Sequence, residues 1–258
     1  MKVYTSFLNN SNRKDKMEIV LSCILLLFLW QIIAILINNE IYLPTINQTL
    51  NSMKEIILEP RFYLDMAYSI GRSLYSFLLA LVLAMVIGIL SYSNKIIRNI
   101  IKPISKILES IPTMILVLLV LIWFNKDKAP LIVGFSIVMP ILYNAVLGSM
   151  LNIDKKLIEM SEIYKININD KILKLYLPSI KYNLIPILIS TFSLALKVVI
   201  AGEVYGQPTY GIGTMIQVEK INFNTSGIFA WIVIILIISV ILDIIQKVLL
   251  RRTFIWKR

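Results

Sequence analysis

Apolar residues run in six long tracts, with most of the charge and the helical periodicity falling in the segments between them. Residues 19–37 and 73–93 contain no charge at all. The third tract, 110–124, is short and begins beside Pro112; the fourth, 129–153, contains Pro140. The fifth runs from about 182 to 203 and contains Lys197, and the sixth, 228–250, carries Asp243 and Lys247 near its end. A helix crossing the hydrocarbon layer needs about 20 mostly apolar residues. The pattern therefore predicts an all-α, polytopic membrane bundle of about six transmembrane helices. The first tract is too long for a signal-peptide core and has no small-residue cleavage site after it, so it is expected to stay as an anchor.

Composition agrees. Of 258 residues, 58% are hydrophobic and only 16% charged, with a mean hydropathy of +0.79. Soluble domains carry about 25% charged residues. Cys23 is the single cysteine and histidine is absent, which leaves no disulfide framework and removes the commonest metal ligand and proton shuttle. There is no GxxxxGK[ST] run to cradle phosphates, and no HExxH, CxxC or GxSxG. No metal site, resident cofactor or catalytic residue is expected.

The net charge of +11 would suggest nucleic acid on a soluble chain, but its distribution points to topology instead. With both termini in the cytoplasm, the inner segments hold Lys2, Arg13, Lys14, Lys16, Lys95, Arg98, Lys102, Lys106, Lys155, Lys156, Lys165, Lys171, Lys174, Lys181, Lys247, Arg251, Arg252, Lys257 and Arg258. The outer segments hold only Lys54, Arg61, Arg72, Lys126, Lys128 and Lys220. Excess Lys and Arg mark the cytoplasmic side. No nucleic acid is needed to explain the charge.

Two inter-tract segments are more than connectors. In 45–58, Ile46, Leu50, Met53 and Ile57 fall at helical spacing, and Pro60 stops the run. This predicts a short amphipathic outer helix, packed on the bundle or serving a gate or docking role. In 151–182, Leu157, Met160, Ser161, Tyr164 and Ile168 share one helix face, with Lys155, Lys156, Glu159, Glu162 and Lys165 opposite. Asn169 or Asp170 would cap a second helix that ends at Pro178. Such a long, amphipathic segment either seats on a partner or lies on the anionic inner leaflet.

Residues 159–178 resemble the "EAA" loop of permease subunits of ATP-binding-cassette importers. Glu159 stands at its Glu, Met160 and Ser161 at its two Ala positions, Lys165 at its Gly, and Leu177-Pro178 at its closing Leu-Pro. Asn167, which tolerates a left-handed backbone, is expected to take over the turn of the missing Gly. The resemblance covers roughly 65–258 and is nearest to the nitrate/sulfonate/taurine-type branch. "SIGRSLYSFLLALVLAMVIGIL" (69–90), "ESIPTMILVLLVLIWF" (109–124, with Asn125 where a Gly is usual), "MPILYNAVLGSMLNID" (139–154) and "AGEVYGQPTYGIGTMI" (201–216) look like successive segments of that branch, and Trp256 like its C-terminal Trp.

The resemblance implies a type I importer permease fold in a bacterial plasma membrane. It also implies partners: a permease dimer mate, two cytoplasmic ATP-binding subunits, an extracytoplasmic solute-binding protein and surrounding lipid. Glu159, Met160, Ser161, Tyr164, Lys165 and Pro178 would form the coupling loop, with ATP hydrolysed by another chain. The solute would be a small organic or anionic compound of the sulfonate, taurine, nitrate or thiamine-precursor kind. The domain expectation is an N-terminal segment with the first span and outer helix (1–64), the permease domain (65–251) and a cytoplasmic tail (252–258).

Individual residues keep alternatives open. Glu159 pairs with a partner's base, or stays solvated or paired to Lys155 or Lys156. Tyr164 anchors docking or packs on the next helix. Lys197, a cation near mid-span, lines the solute pathway, or pairs with Glu203, Glu109 or a dimer mate, or snorkels to an interface. Glu203, Pro112 and Pro140 join it as pathway candidates, because broken helices often line transport routes. Residues 206–213 form a gate-like turn or a plain connector. A stand-alone ion-coupled transporter is the competing reading. Its coupling groups would have to come from Lys197, Glu203, Asp243 and Glu109.

Overall fold

The structure, a computed structural model, describes residues 13–253; Trp256 and most of the tail lie outside the described residues. The described chain is helical: α1 (Arg13–Ile37), α2 (Ile46–Leu58), α3 (Pro60–Ser93), α4 (Lys95–Ser110), α5 (Thr113–Trp123) and α6 (Ala129–Leu151). Then come α7 (Lys155–Ile163), α8 (Ile168–Lys171), a π-turn (Ile172–Tyr176), α9 (Leu177–Gly206), α10 (Ile212–Ile221) and α11 (Thr225–Thr253). Among the described residues there is no strand. Five helical stretches are long and apolar enough to cross a bilayer, and a sixth crossing exists if the bent pair α4–α5 is counted.

The third apolar tract is where the structure departs from the sequence expectation. Its helix, α5, has only 11 residues, about 16 Å at 1.5 Å per residue. It meets α4 at 107°. Pro112 sits at the corner as the N-cap of α5, where its missing N–H would have had no helical partner anyway. Pro140, by contrast, is buried in α6 without interrupting it.

The chain forms two compact units. One contains the described residues up to Leu58 with Glu219–Val233. Within it, Thr45 and Gln48 make a reciprocal capping box that starts α2: Thr45 N–H donates to Gln48 Oε1 (2.8 Å) and Gln48 N–H to Thr45 Oγ (3.3 Å). Trp30 Nε1–H donates to the Pro44 carbonyl (3.0 Å), and its ring meets Phe229 at 5.5 Å. The inward face of α2 carries Thr49 and Ile56, with Ser52 bonded to Ser226 (2.8 Å), while Leu50 is exposed. The sequence pattern centred that face about one residue away.

The other unit contains Glu59–Val218 with the described residues from Ile234. Its core is α3, α6 and α9. Small residues on α3, Ala80 and Ala84, are fully buried, and a Cβ at Gly134 would lie 2.7 Å from Val199 and 2.9 Å from Ser76. Close backbone approach through small residues is how membrane helices gain packing without a hydrophobic drive. The pairs Gly134–Ser76 and Gly88–Val146 make α3 and α6 run the same way, and Gly202 against Pro130 makes α9 run opposite to α6. One end of the unit therefore gathers the end of α3, α4 and residues 151–176. The opposite end gathers the start of α3, residues 124–128 and 206–213. The charges Arg61 and Arg72, expected in a connector, lie on α3, whose 34 residues make it about 51 Å long.

Candidate functional site

At the α4 end, residues 154–178 form a helical corner. Asp154 caps α7, its carboxylate accepting the Lys156 N–H at 2.9 Å. The helix closes with paired bonds: Ile166 N–H donates to the Ser161 carbonyl and Lys165 N–H to the Glu162 carbonyl, both at 3.0 Å. This is the Schellman arrangement, which puts one residue in the left-handed conformation. That residue is Lys165, with φ +48°, while Asn167 has φ −59°. The turn therefore stays at the position where the family pattern has Gly, and the expected transfer to Asn167 does not occur. Lys165→Gly is expected to raise thermal stability of the detergent-solubilised chain by about 0.5–1 kcal/mol, since Gly adopts this φ without strain.

The second helix of the corner does not end at Pro178, and neither Asn169 nor Asp170 caps it. Asn167 is its N-cap, and the chain continues through a π-turn, with Leu177 N–H bonded to the Ile172 carbonyl, straight into α9. A proline ring clashes with the carbonyl four residues earlier and offers no donor. One wider turn before Pro178 accommodates both defects. The corner is anchored by Tyr92 against Tyr176, ring centroids 5.5 Å apart, and by Ser179 Oγ–H donating to the Ser149 carbonyl at 2.8 Å.

Between the helices lies an open hollow of about 250 Å³ lined by Leu157, Met160, Ser161, Ile166, Asp170, Lys171, Lys174 and Leu175. Ser161 is buried at its floor, its hydroxyl donating to the Ile158 carbonyl at 2.6 Å. Leu157 and Met160 are half exposed and Tyr164 is 74% exposed, so Tyr164 does not pack on the next helix. Glu159 is exposed and, among the described residues, forms no ion pair with Lys155 or Lys156. Lys165 and Pro178 are exposed but do not line the hollow.

At the opposite end, Glu203 is fully buried. Its Oε1 accepts from Arg72 Nη1 (2.8 Å), and its Oε2 accepts from Ser69 Oγ–H (2.6 Å) and Gly213 N–H (3.1 Å). Arg72 also donates to the Tyr210 carbonyl (2.6 Å) and stands 4.0 Å from Asp127. Asp65 accepts from Gly211 N–H (2.8 Å) and from Arg61 Nε (3.3 Å), and Arg61 donates onward to the Thr209 carbonyl (3.0 Å). Ile212 N–H donates to Ser69 Oγ at 2.8 Å. Side chains of α3 and α9 thus hold the amides of Gly211, Ile212 and Gly213 and the carbonyls of Thr209 and Tyr210, while the Thr209 amide donates to Asp127 (3.3 Å) and the Pro208 carbonyl accepts from Thr214 Oγ1–H (3.0 Å). A Cβ at Gly213 would collide with the Ile200 carbonyl and stand 2.6 Å from Glu203 Cβ, so only glycine fits. Segment 206–213 is therefore a tied turn. A shallow hollow of about 440 Å³ opens beside it, lined by Tyr68, Arg72, Asp127, Thr209 and Tyr210.

Asp65, Ser69 and Arg72 escaped the sequence reading, although their spacing of four and three residues, continued by Ser73 and Ser76, marks one polar stripe on a single helix face. Lys197 is exposed on α9 between buried neighbours. Among the described residues no carboxylate lies within ion-pair distance of it: Glu203 is paired with Arg72 and Glu109 with Lys106.

Comparison with known proteins accords with this geometry. The family model described as "Binding-protein-dependent transport system inner membrane component" matches residues 76–255. A Bacillus subtilis permease protein assigned to aliphatic sulfonates transport, SsuC, is 25% identical over 89% of this chain and 83% of its own length. An ABC transporter permease protein of Methanocaldococcus jannaschii is 24% identical over 89% of this chain and 88% of its own. The glycine betaine transport system permease protein OpuAB of Bacillus subtilis is 25% identical over 70% and 64%. A chain of the MetNI methionine ABC transporter, solved facing inward, superposes with a TM-score of 0.64 at 19% identity, over 75% of this chain and 98% of that one. With a bundle of that fold and a family match spanning most of its length, the chain belongs to the binding-protein-dependent transport system inner membrane components, the permease subunits of ABC importers.

Proposed function

We propose that this permease subunit forms half of a solute pathway and is driven through residues 155–178 by a separate ATP-hydrolysing chain. The observation that carries the reading is the exposed helical corner: a hollow walled by Leu157, Met160, Ile166 and Leu175, a hydrogen-bonded Schellman turn, and a helix that runs from Ile168 without a break into the membrane. A push on Leu157 and Met160 of α7 passes across the hydrogen-bonded turn at Lys165 to α8, which continues through the π-turn into α9. Both termini are placed in the cytoplasm on the distribution of Lys and Arg, and a second permease copy or a related subunit completes the pathway. An external binding protein delivers the solute.

Expression with its ATPase tests the coupling. The partner is expected to co-purify with the wild type, and Glu159→Lys is expected to insert normally while losing solute-stimulated ATP hydrolysis. Normal stimulation in that variant would count against the coupling role.

Within the membrane, Lys197 supports a pathway for small anions of the sulfonate kind. A cation at this depth costs about 2.5–3.5 kcal/mol on insertion scales, which favours a position facing water or a second copy over one facing lipid. Ser193 lies one turn away on the same face, and its buried hydroxyl has no hydrogen-bond partner among the described residues. Pro112, exposed at the α4–α5 corner, joins Lys197 as a lining residue, while Glu203 and Pro140 support the wall from behind. Lys197→Gln is expected to lower uptake of an anionic solute about five- to tenfold, as loss of about 1 kcal/mol of attraction implies. Lys197→Arg should retain uptake, and equal uptake by all three proteins would remove the residue from the pathway.

A further inference from the structure

Helix α4 has three distinct faces. At 100° per residue, Lys95, Arg98, Lys102 and Lys106 fall within an arc of about 80°. Ile96, Ile100, Ile104 and Ile107 form a second face, 48–69% exposed. The third face packs inward through buried Ser105 and through Ile101, which joins the α3–α6 core. Asn144 of α6 fixes this orientation by donating to Glu109 at 2.6 Å. Lys106 is neutralised by Glu109, but among the described residues no carboxylate lies within ion-pair distance of Lys95, Arg98 or Lys102.

We propose that α4 lies in the plane of the inner leaflet and binds anionic lipid headgroups through Lys95, Arg98 and Lys102, with the four isoleucines set into the acyl chains. The placement rests on the orientation proposed above. The 107° bend to α5 turns α4 out of the direction α5 takes into the bundle, as an interfacial helix requires. Charge complementarity selects the occupant: three uncompensated cations on the face opposite an apolar stripe, the arrangement of an interfacial amphipathic helix, match a lipid with a negative headgroup and two chains better than a soluble anion or an apolar protein surface. Because α4 ends at the Pro112 corner, lipid bound there also fixes where the half-helix α5 starts.

The test uses the full chain in nanodiscs of mixed phosphatidylcholine and phosphatidylglycerol, with retained lipid measured by mass spectrometry after detergent extraction. Wild type should enrich phosphatidylglycerol over the bulk mixture by about fivefold or more, and Lys95→Gln/Arg98→Gln/Lys102→Gln should bring enrichment close to bulk. Lys95→Arg/Lys102→Arg should keep it. High salt should strip the enrichment from the wild type itself, a readout that no misfolded variant can confound. Bulk composition around the wild type, salt-insensitive enrichment, or unchanged enrichment in the glutamine variant would each overturn the proposal. Both nanodisc leaflets share one composition and no ATPase is present, so this outcome is independent of whether the coupling and orientation readings hold.

Discussion

Glu203→Ala is expected to destabilise the solubilised subunit by about 3–5 kcal/mol, the cost of stranding one member of a buried ion pair. The carboxylate is fully buried, and three donors converge on it: Arg72, Ser69 and the Gly213 amide. Its removal leaves the Arg72 guanidinium with the Tyr210 carbonyl at 2.6 Å and Asp127 at 4.0 Å as its remaining partners, and strands the Ser69 hydroxyl and the Gly213 N–H at the vacated site. The 207–213 turn loses its tie to α9, so fluorescence-detected thermal unfolding should shift downward and accumulation in the membrane should fall. Pairing the change with Arg72→Met should recover part of the loss, because removing both charges can be nearly neutral where removing one is not. A single variant as stable as wild type, or a double variant worse than the sum of its parts, would show that the network does not hold the turn.

Met160→Glu is the second large effect. The side chain lines the hollow at the helical corner and is half exposed, so the change leaves the bundle core untouched and membrane insertion should be normal. At an interface hot spot such a change costs at least about 2 kcal/mol, or roughly 30-fold in affinity. Recovery of the ATPase with the tagged permease should fall accordingly, while Lys171→Gln at the rim should have a small effect. Equal recovery with Met160→Glu would move the contact elsewhere.

Much of this architecture is legible in the sequence, because tracts of about twenty apolar residues have few ways to fold in a bilayer. The departures have physical causes. Arg72 sits one residue before an uncharged run and reads as a connector charge, yet its partner Glu203 is 131 positions away, beyond the reach of any local pattern. The π-turn before Pro178 keeps a helix going where the residue-by-residue rule ends it. At Lys165 the hydrogen-bonding demand of the helix end outweighs the preference of lysine for negative φ, a cost of about 1–2 kcal/mol, and tertiary packing rotates α2 by about one residue. Ser161 is the opposite case: its small size, read from the family pattern, is what lets the floor of the hollow close.

In the proposed function, the corner at 157–165 touches a second polypeptide on the cytoplasmic side. Cys23 is the chain's single cysteine, so Cys23→Ser supplies a clean background for Met160→Cys. With a cysteine placed in the ATPase groove, oxidation of membranes from co-expressing cells should give a permease–ATPase cross-link whose yield changes on nucleotide trapping. A membrane-impermeant maleimide added outside intact cells should leave Met160→Cys unlabelled. Efficient labelling from outside, or the absence of any cross-link to the ATPase in either nucleotide state, would contradict the account.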